Sequence, residues 1–206
     1  MPQLIALLRG INVGRAKRIA MADLRALITG LGHANVRTLL NSGNVIFEGP
    51  SSKTGDQALR IQNAIAAKLG VSARVSVVTA ADLAAIVREN PLQSIANDPS
   101  RFLAAFVSDR AVLTKIKPLI HQSWAPDQLA IGSRAAYIWC ANGIVESKLL
   151  QAFSGQMGEA ITTRNWSTVL KLNAATSISS AAQPIQRQTS HHSGAGLLNR
   201  GNRPLG

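Results

Sequence analysis

Cysteine is almost missing from this sequence: one residue, Cys140, stands among 206. A single thiol excludes an internal disulfide and any two-cysteine metal or redox motif. Cys140 lies in the apolar run AAYIWCAN, which reads as core rather than as the setting of a nucleophile. Aromatics are scarce as well, at 4%. Up to residue 90 there is just Phe47, so a sheet that stacks nucleobases is poorly supplied. Acids number 10 against 22 lysines and arginines. They are scattered, with no spacing suited to a metal ion or to a carboxylate acid–base pair. No HExxH, Ser-His-Asp or zinc-type pattern is present, so the expectation is no metal and no cofactor. Nothing approaches the ~20 apolar residues of a membrane span. The opening MPQLIALLRG is too quickly interrupted for a signal peptide. A cytoplasmic protein without a membrane partner is therefore expected.

What is there suffices for a folded body. Apolar residues make up 46% of the chain, enough for a core, and the length suits one domain or two small ones. The formal net charge is +12. Three cations, Arg187, Arg200 and Arg203, fall in residues 176–206, where there is no acid. The body thus keeps nineteen cations against its 10 acids, an excess that favours anionic partners without speaking to the fold. From Thr176 onward Ser, Gln, Asn, Gly and His prevail without apolar periodicity. Such a stretch buries too little surface to offset its ordering entropy, and a disordered basic tail over 176–206 is expected.

Periodicity divides the body into two passes of strands and helices. The run Leu4 to Leu8 reads as a buried strand, and Met21 to Leu31 carries apolar residues at helical spacing. Val36 to Leu40 and Val45 to Phe47 read as a hairpin around Asn41-Ser42-Gly43-Asn44. A second helix through Leu59 to Leu69 and a strand Arg74 to Val78 complete a β-α-β-β-α-β order. Thr79 is placed to N-cap a linking helix that Asn90-Pro91 ends. The second pass reads strand Phe102 to Val107, then a helix Val112 to Ile120 that Pro118 distorts. A hairpin over 128–131 and 135–139, a helix Ser147 to Phe153, a short strand Ala160 to Thr163 and a closing helix Trp166 to Leu172 follow. The predicted fold is α+β, two successive ferredoxin-like (α-β plait) subdomains over 1–90 and 91–175.

Three polar signatures punctuate these elements: LLRGINVG, NSGNVIF and TRNWSTVLKL. The glycines of the first let the chain turn after a strand, with Asn12 bonding local backbone. In a functional reading Arg9, Asn12 and nearby amides line a ligand pocket. The cluster Arg9, Arg15, Lys17 and Arg18 reads either as a solvated loop or as one that faces a phosphate. Asn41, Ser42 and Asn44 have ordinary hairpin chemistry. In a plait, however, the end of the first strand and the start of the third are neighbours, which brings Arg9 beside Ser42 and Asn44. Asn165 is placed to cap the closing helix, and Arg164 just before a helix N-terminus favours an anion. Ser147 and Lys148 open another helix with a hydroxyl and an ammonium, donors that suit a phosphate or carboxylate. The candidate binding residues are thus Arg9, Asn12, Lys17, Asn41, Ser42, Asn44, Ser147, Lys148, Arg164 and Asn165.

The blocks LLRGINVG, MADLRALITGLG, NVRTLLNSGNVIF, NGIVESKL and TTRNWSTVLKL, in this order, resemble the bacterial family called domain of unknown function 1697. The resemblance runs from about Leu4 to Leu172 and implies two α-β plait subdomains. It implies no reaction. Arg15 stands where family members often carry a glycine, and Glu146 where a neutral or basic residue is usual.

Signature residues that are nearly all neutral or cationic donors favour binding over acid–base catalysis, and they name no reaction. The leading reading is a small anionic or nucleotide-like ligand held near the subdomain interface. The alternatives are a nucleic-acid module with a basic groove, and a structural or protein-interaction role with no ligand.

Overall fold

The computed structural model describes residues 1–12, 18–50, 54–107 and 111–181, with side chains to 177. Arg15, Lys17 and the expected tail beyond residue 181 lie outside the described residues. The chain is α+β, with two four-stranded antiparallel sheets. The first contains β1 (Gln3–Arg9), β2 (Ala34–Leu39), β3 (Asn44–Glu48) and β4 (Arg74–Thr79) in the order β2-β3-β1-β4. Helices α1 (Met21–Gly30) and α2 (Thr54–Leu69) connect its strands, and α3 (Ala80–Arg88) leads out of it. The second contains β5 (Phe102–Val107), β6 (Gln128–Ile131), β7 (Ala135–Trp139) and β8 (Ile161–Asn165) in the order β6-β7-β5-β8.

Two departures from the sequence reading have local causes. The helix expected over Val112 to Ile120 is two short ones, α4 (Ala111–Thr114) and α5 (Lys117–Ile120). Pro118 sits in the first turn of α5, where a missing N–H costs nothing, and it could not have sat mid-helix. Helix α7 (Trp166–Ala181) continues past the expected tail boundary at 176. Ala175 packs on the core at that boundary and Thr176 is buried, its hydroxyl satisfied by the carbonyls of Leu172 at 3.1 Å and Asn173 at 2.9 Å. The cap expected at Thr79 is present, and Ser147, expected as a ligand donor, caps a helix as well. The Asn165 amide, expected to cap α7, donates instead to the Ser100 carbonyl. Thr79 accepts from the Asp82 amide at 3.0 Å to start α3. Ser147 accepts from the Leu150 amide at 3.0 Å to start α6 (Lys148–Met157).

Side-chain alternation along β1 explains the layering. Leu4, Ala6 and Leu8 point one way, into a core closed by Leu24, Leu27 and Ile28 of α1 and Ile61 and Ile65 of α2. Ile5 and Leu7 point the other way and meet the second sheet through Phe102, Phe106 and Tyr137. Leu83 and Ile86 of α3 and Trp166, Val169 and Leu172 of α7 belong to this same middle core. The far face of the second sheet, Leu103, Ala105 and Ile138, packs on α6 through Leu149 and Phe153. Cys140 is fully buried in that outer core, and burial pushes its thiol pKa up. The central strands β1 and β5 are covered on both faces, which is why they read as unbroken apolar runs. Each large side chain buried in the middle core contributes about 1.5–3 kcal/mol, so the two sheets are joined by burial before any polar contact is counted.

Candidate functional site

The three signatures meet at one corner, where the ends of β1, β3 and β8 come together. The expected adjacency of Arg9 and the Ser42–Asn44 turn is realised by the β1–β3 register, in which Leu7 lies opposite Asn44. The Leu8 amide donates to the Gly43 carbonyl at 2.8 Å and draws the turn onto the strand. Gly43 has φ +75, and a Cβ there would lie 2.7 Å from Ile11 Cδ1 and 2.8 Å from Leu8 Cβ, so glycine is required twice over.

Arg164 enters this corner from the second half. Its Nε donates to Asn44 Oδ1 at 2.6 Å, and its Nη2 donates to the carbonyls of Leu8 at 2.6 Å and Ser42 at 3.2 Å. Nη1 turns back to the carbonyl of Thr163 at 2.9 Å. Every one of these acceptors is a neutral oxygen. Burial pushes the guanidinium down to about 10, so it is still charged at neutral pH. Asn44 is fully buried, and its Nδ2 donates to Leu39 O at 3.0 Å and to Ser42 Oγ at 2.9 Å. The donors that the sequence suggested for a ligand are here spent on the fold. Asn12 is spent likewise. Its Nδ2 donates to Asn41 O at 2.8 Å, its Oδ1 accepts from Ile19 N at 2.8 Å, and its φ is +54. Asn165 donates to the Ser100 carbonyl at 3.2 Å. Asn41 is exposed, while Lys17 lies outside the described residues.

Arg9 makes the reverse crossing. Its Nη1 donates to the carbonyls of Gly158 and Ile161, the latter at 3.0 Å, both in the second half. Unlike Arg164 it is exposed, and its Nε and Nη2 make no hydrogen bond among the described residues. Directly across the β1–β4 pair from Arg9 stands Arg74. Opposed residues of an antiparallel pair carry Cβ atoms ~4.5–5.5 Å apart on one face, and like charges there repel. Arg74 donates through Nε at 2.8 Å, and through Nη2, to the Glu159 carboxylate of the second half. Arg9, Arg74 and Glu159, with Gln62, Asn63 and Ser72, line a cleft of about 420 Å³. Nearby, Ser76 and Thr162 share a buried hydroxyl–hydroxyl bond of 3.0 Å across the seam.

Ser147 and Lys148 are not part of this group. Ser147 is buried as the α6 cap and donates to Asp127 Oδ2 at 2.7 Å, and Lys148 lines a separate cavity of about 250 Å³ with Trp124 and Glu146. A further cavity of about 460 Å³ is lined by Asn12, Arg18 and Asn41. Arg74 and Glu159 were missed in the sequence. Arg74 was within reach, because the plait argument that pairs the end of β1 with β3 also pairs it with the start of β4. Glu159 sits in a 3-10 turn, Gly158–Ala160, with no motif to mark it. Among the described residues no cluster of three or more His, Cys, Asp or Glu could hold a metal, and no helix is long and apolar enough to cross a membrane.

Comparison with known proteins supports this frame. A family model described as "Protein of unknown function (DUF1697)" matches residues 1–137. Among solved structures, the conserved bacterial protein SP0830 from Streptococcus pneumoniae matches with a TM-score of 0.65 at 22% identity. That match covers 85% of this chain and 98% of the pneumococcal one, and at this identity it speaks to the fold. No curated protein matches the sequence.

Proposed function

The chain belongs to the DUF1697 family, and from that premise we propose that it binds a small anionic ligand in the seam cleft between its two halves. We read each half as a ferredoxin-like plait, 1–90 and 91–175, because each sheet keeps the strand order of that fold. The observation that carries the binding proposal is the cross-strand pair of Arg9 and Arg74 on the rim of one cavity. Two arginines paired directly across an antiparallel ladder cost stability unless something negative lies between or beside them. Each offers a planar fork of donors matched to phosphate or carboxylate. Glu159 offsets part of that charge. The remaining donors of Arg9 make no hydrogen bond among the described residues.

The signature residues frame this cleft rather than fill it. Arg164 and Asn44 fix the corner from which Arg9 departs, and their satisfied donors favour a second reading in which the motifs serve only folding and contact between the halves. A basic-groove nucleic-acid role draws its support from net charge alone, since the faces of the central strands are covered.

A thermal-shift titration with inorganic phosphate and citrate, on the whole chain and on Arg9→Ala and Arg74→Ala, tests the binding reading. A ligand at a hundredfold excess over its dissociation constant stabilises the folded state by about 2.7 kcal/mol. A shift in the parent that both substitutions abolish supports the cleft. An equal shift in all three proteins, or none with either anion, favours the purely structural reading.

A further inference from the structure

We infer that the cleft selects a hydroxylated anion, a short polyol or sugar acid or its monophosphate, over a bare anion, and that Glu159 makes the selection; this rests on the anion reading above. Among the described residues of the cleft wall, Glu159 is the one carboxylate. Glu159 and Arg74 both have open side chains, at 69% and 56% exposure, so their ion pair is accessible to solvent and replaceable. A bare phosphate that reaches Arg74 must lie against the Glu159 carboxylate and repel it. A ligand carrying hydroxyls beside its anionic group can instead donate to Glu159 while its charge rests on Arg9 and Arg74. The carboxylate then changes from a competitor into an acceptor.

The rest of the wall suits the same chemistry. Gln62 uses its Oε1 to accept, at a long 3.4 Å, from the Val75 amide, which leaves its NH2 as a donor. Asn63 and Ser72 add a neutral amide and a hydroxyl, groups that pair with hydroxyls rather than with further charge. Among the described residues of the wall, alanines 66 and 73 are the largest apolar side chains and no ring is present to stack a nucleobase. Within the broader expectation of an anionic or nucleotide-like ligand, the lining therefore favours the polyol end over the nucleotide end.

Calorimetric titration of the whole chain and of Glu159→Gln with inorganic phosphate and with glycerol 3-phosphate tests this. The parent should bind glycerol 3-phosphate at least ~tenfold more tightly than phosphate, the difference that one hydrogen bond to a charged acceptor makes. In Glu159→Gln phosphate should bind more tightly than in the parent, and the preference should fall to near parity. A preference ratio left unchanged while both ligands still bind would overturn the selection and leave the anion site standing. Failure of both ligands to bind either protein would remove the site itself. Matching melting temperatures of the two unliganded proteins would show that the substitution acts on the ligand and not on the fold.

Discussion

Two arginines cross the same seam in opposite directions and end in opposite surroundings. Arg164 runs from β8 into the first half, where neutral oxygens take its donors and Asn44 beside it is fully buried. Arg9 runs from β1 into the second half, lies exposed, and shares an open cleft with Arg74 and Glu159. Proximity in sequence to a conspicuous motif does not separate the two cases. What separates them is how many of each guanidinium's donors the protein itself consumes. A half-buried cation whose donors the protein takes up is a fastening. An exposed one opposite a like charge is free to act on something else.

The largest effect should come from the fastening. Arg164→Ala leaves the Leu8 carbonyl and Asn44 Oδ1 without their charged donor and should cost about 3 kcal/mol. Urea denaturation measures this, and Arg164→Lys, which keeps the charge but loses the planar fork, should recover less than half. A variant as stable as the parent would break the comparison, because Arg164 would then be as dispensable as an exposed arginine. Asn44→Ala should follow at about 2 kcal/mol, since it strips donors and an acceptor from a buried turn. The two losses should fall short of additive, because the side chains bond each other.

A third test sits on another part of the seam. The Tyr137 hydroxyl donates to the Ile86 carbonyl at 2.8 Å and joins the second sheet to α3. Burial, with Glu89 adding to it, pushes this phenol up to about 12. Tyr137→Phe should cost about 1 kcal/mol at neutral pH. The sign of its pH dependence follows from linkage. Above the ordinary phenol value of ~10 the unfolded chain ionises while the folded one does not, so the hydroxyl's contribution fades. The parent's advantage over Tyr137→Phe should therefore be full below pH 10 and shrink as pH rises through about 12. An advantage constant across that range would mean that the hydroxyl is not shielded as its surroundings imply.

Much of this arrangement was legible beforehand, and the limits have physical causes. Strand and helix order followed from periodicity, and the placing of the end of β1 beside the start of β3 followed from topology, although the Arg9 side chain leaves that turn for the second half. Arg164 was read from its position before a helix, which points to an anion. Its actual partners come from β8 pairing with β5 and from one sheet packing on the other. Packing between halves leaves no periodicity in a sequence. The tail boundary at 176 rests on composition, a weak prior that α7 overrides for one more turn and a half where Ala175 packs on the core and Thr176 is buried. Glu159 follows a helix end and becomes notable only when Arg74 is beside it.

The smallest effect on stability is the most informative about the cleft. Arg74→Ala removes an ion pair whose side chains are 56% and 69% exposed. Exposed pairs contribute little, and here the loss also relieves repulsion from Arg9, so stability should change by no more than about 0.5 kcal/mol in either direction. Against the several kilocalories expected at Arg164, that contrast separates a residue kept for folding from one available to a ligand. Paired urea curves for Arg74→Ala and Arg164→Ala, each with and without phosphate, read both axes together. Arg164→Ala should lose stability while keeping the phosphate-dependent shift. Arg74→Ala should keep its stability and lose that shift. If Arg74→Ala unfolds as readily as Arg164→Ala, both arginines are fastenings, and the cleft is the outer edge of the lock.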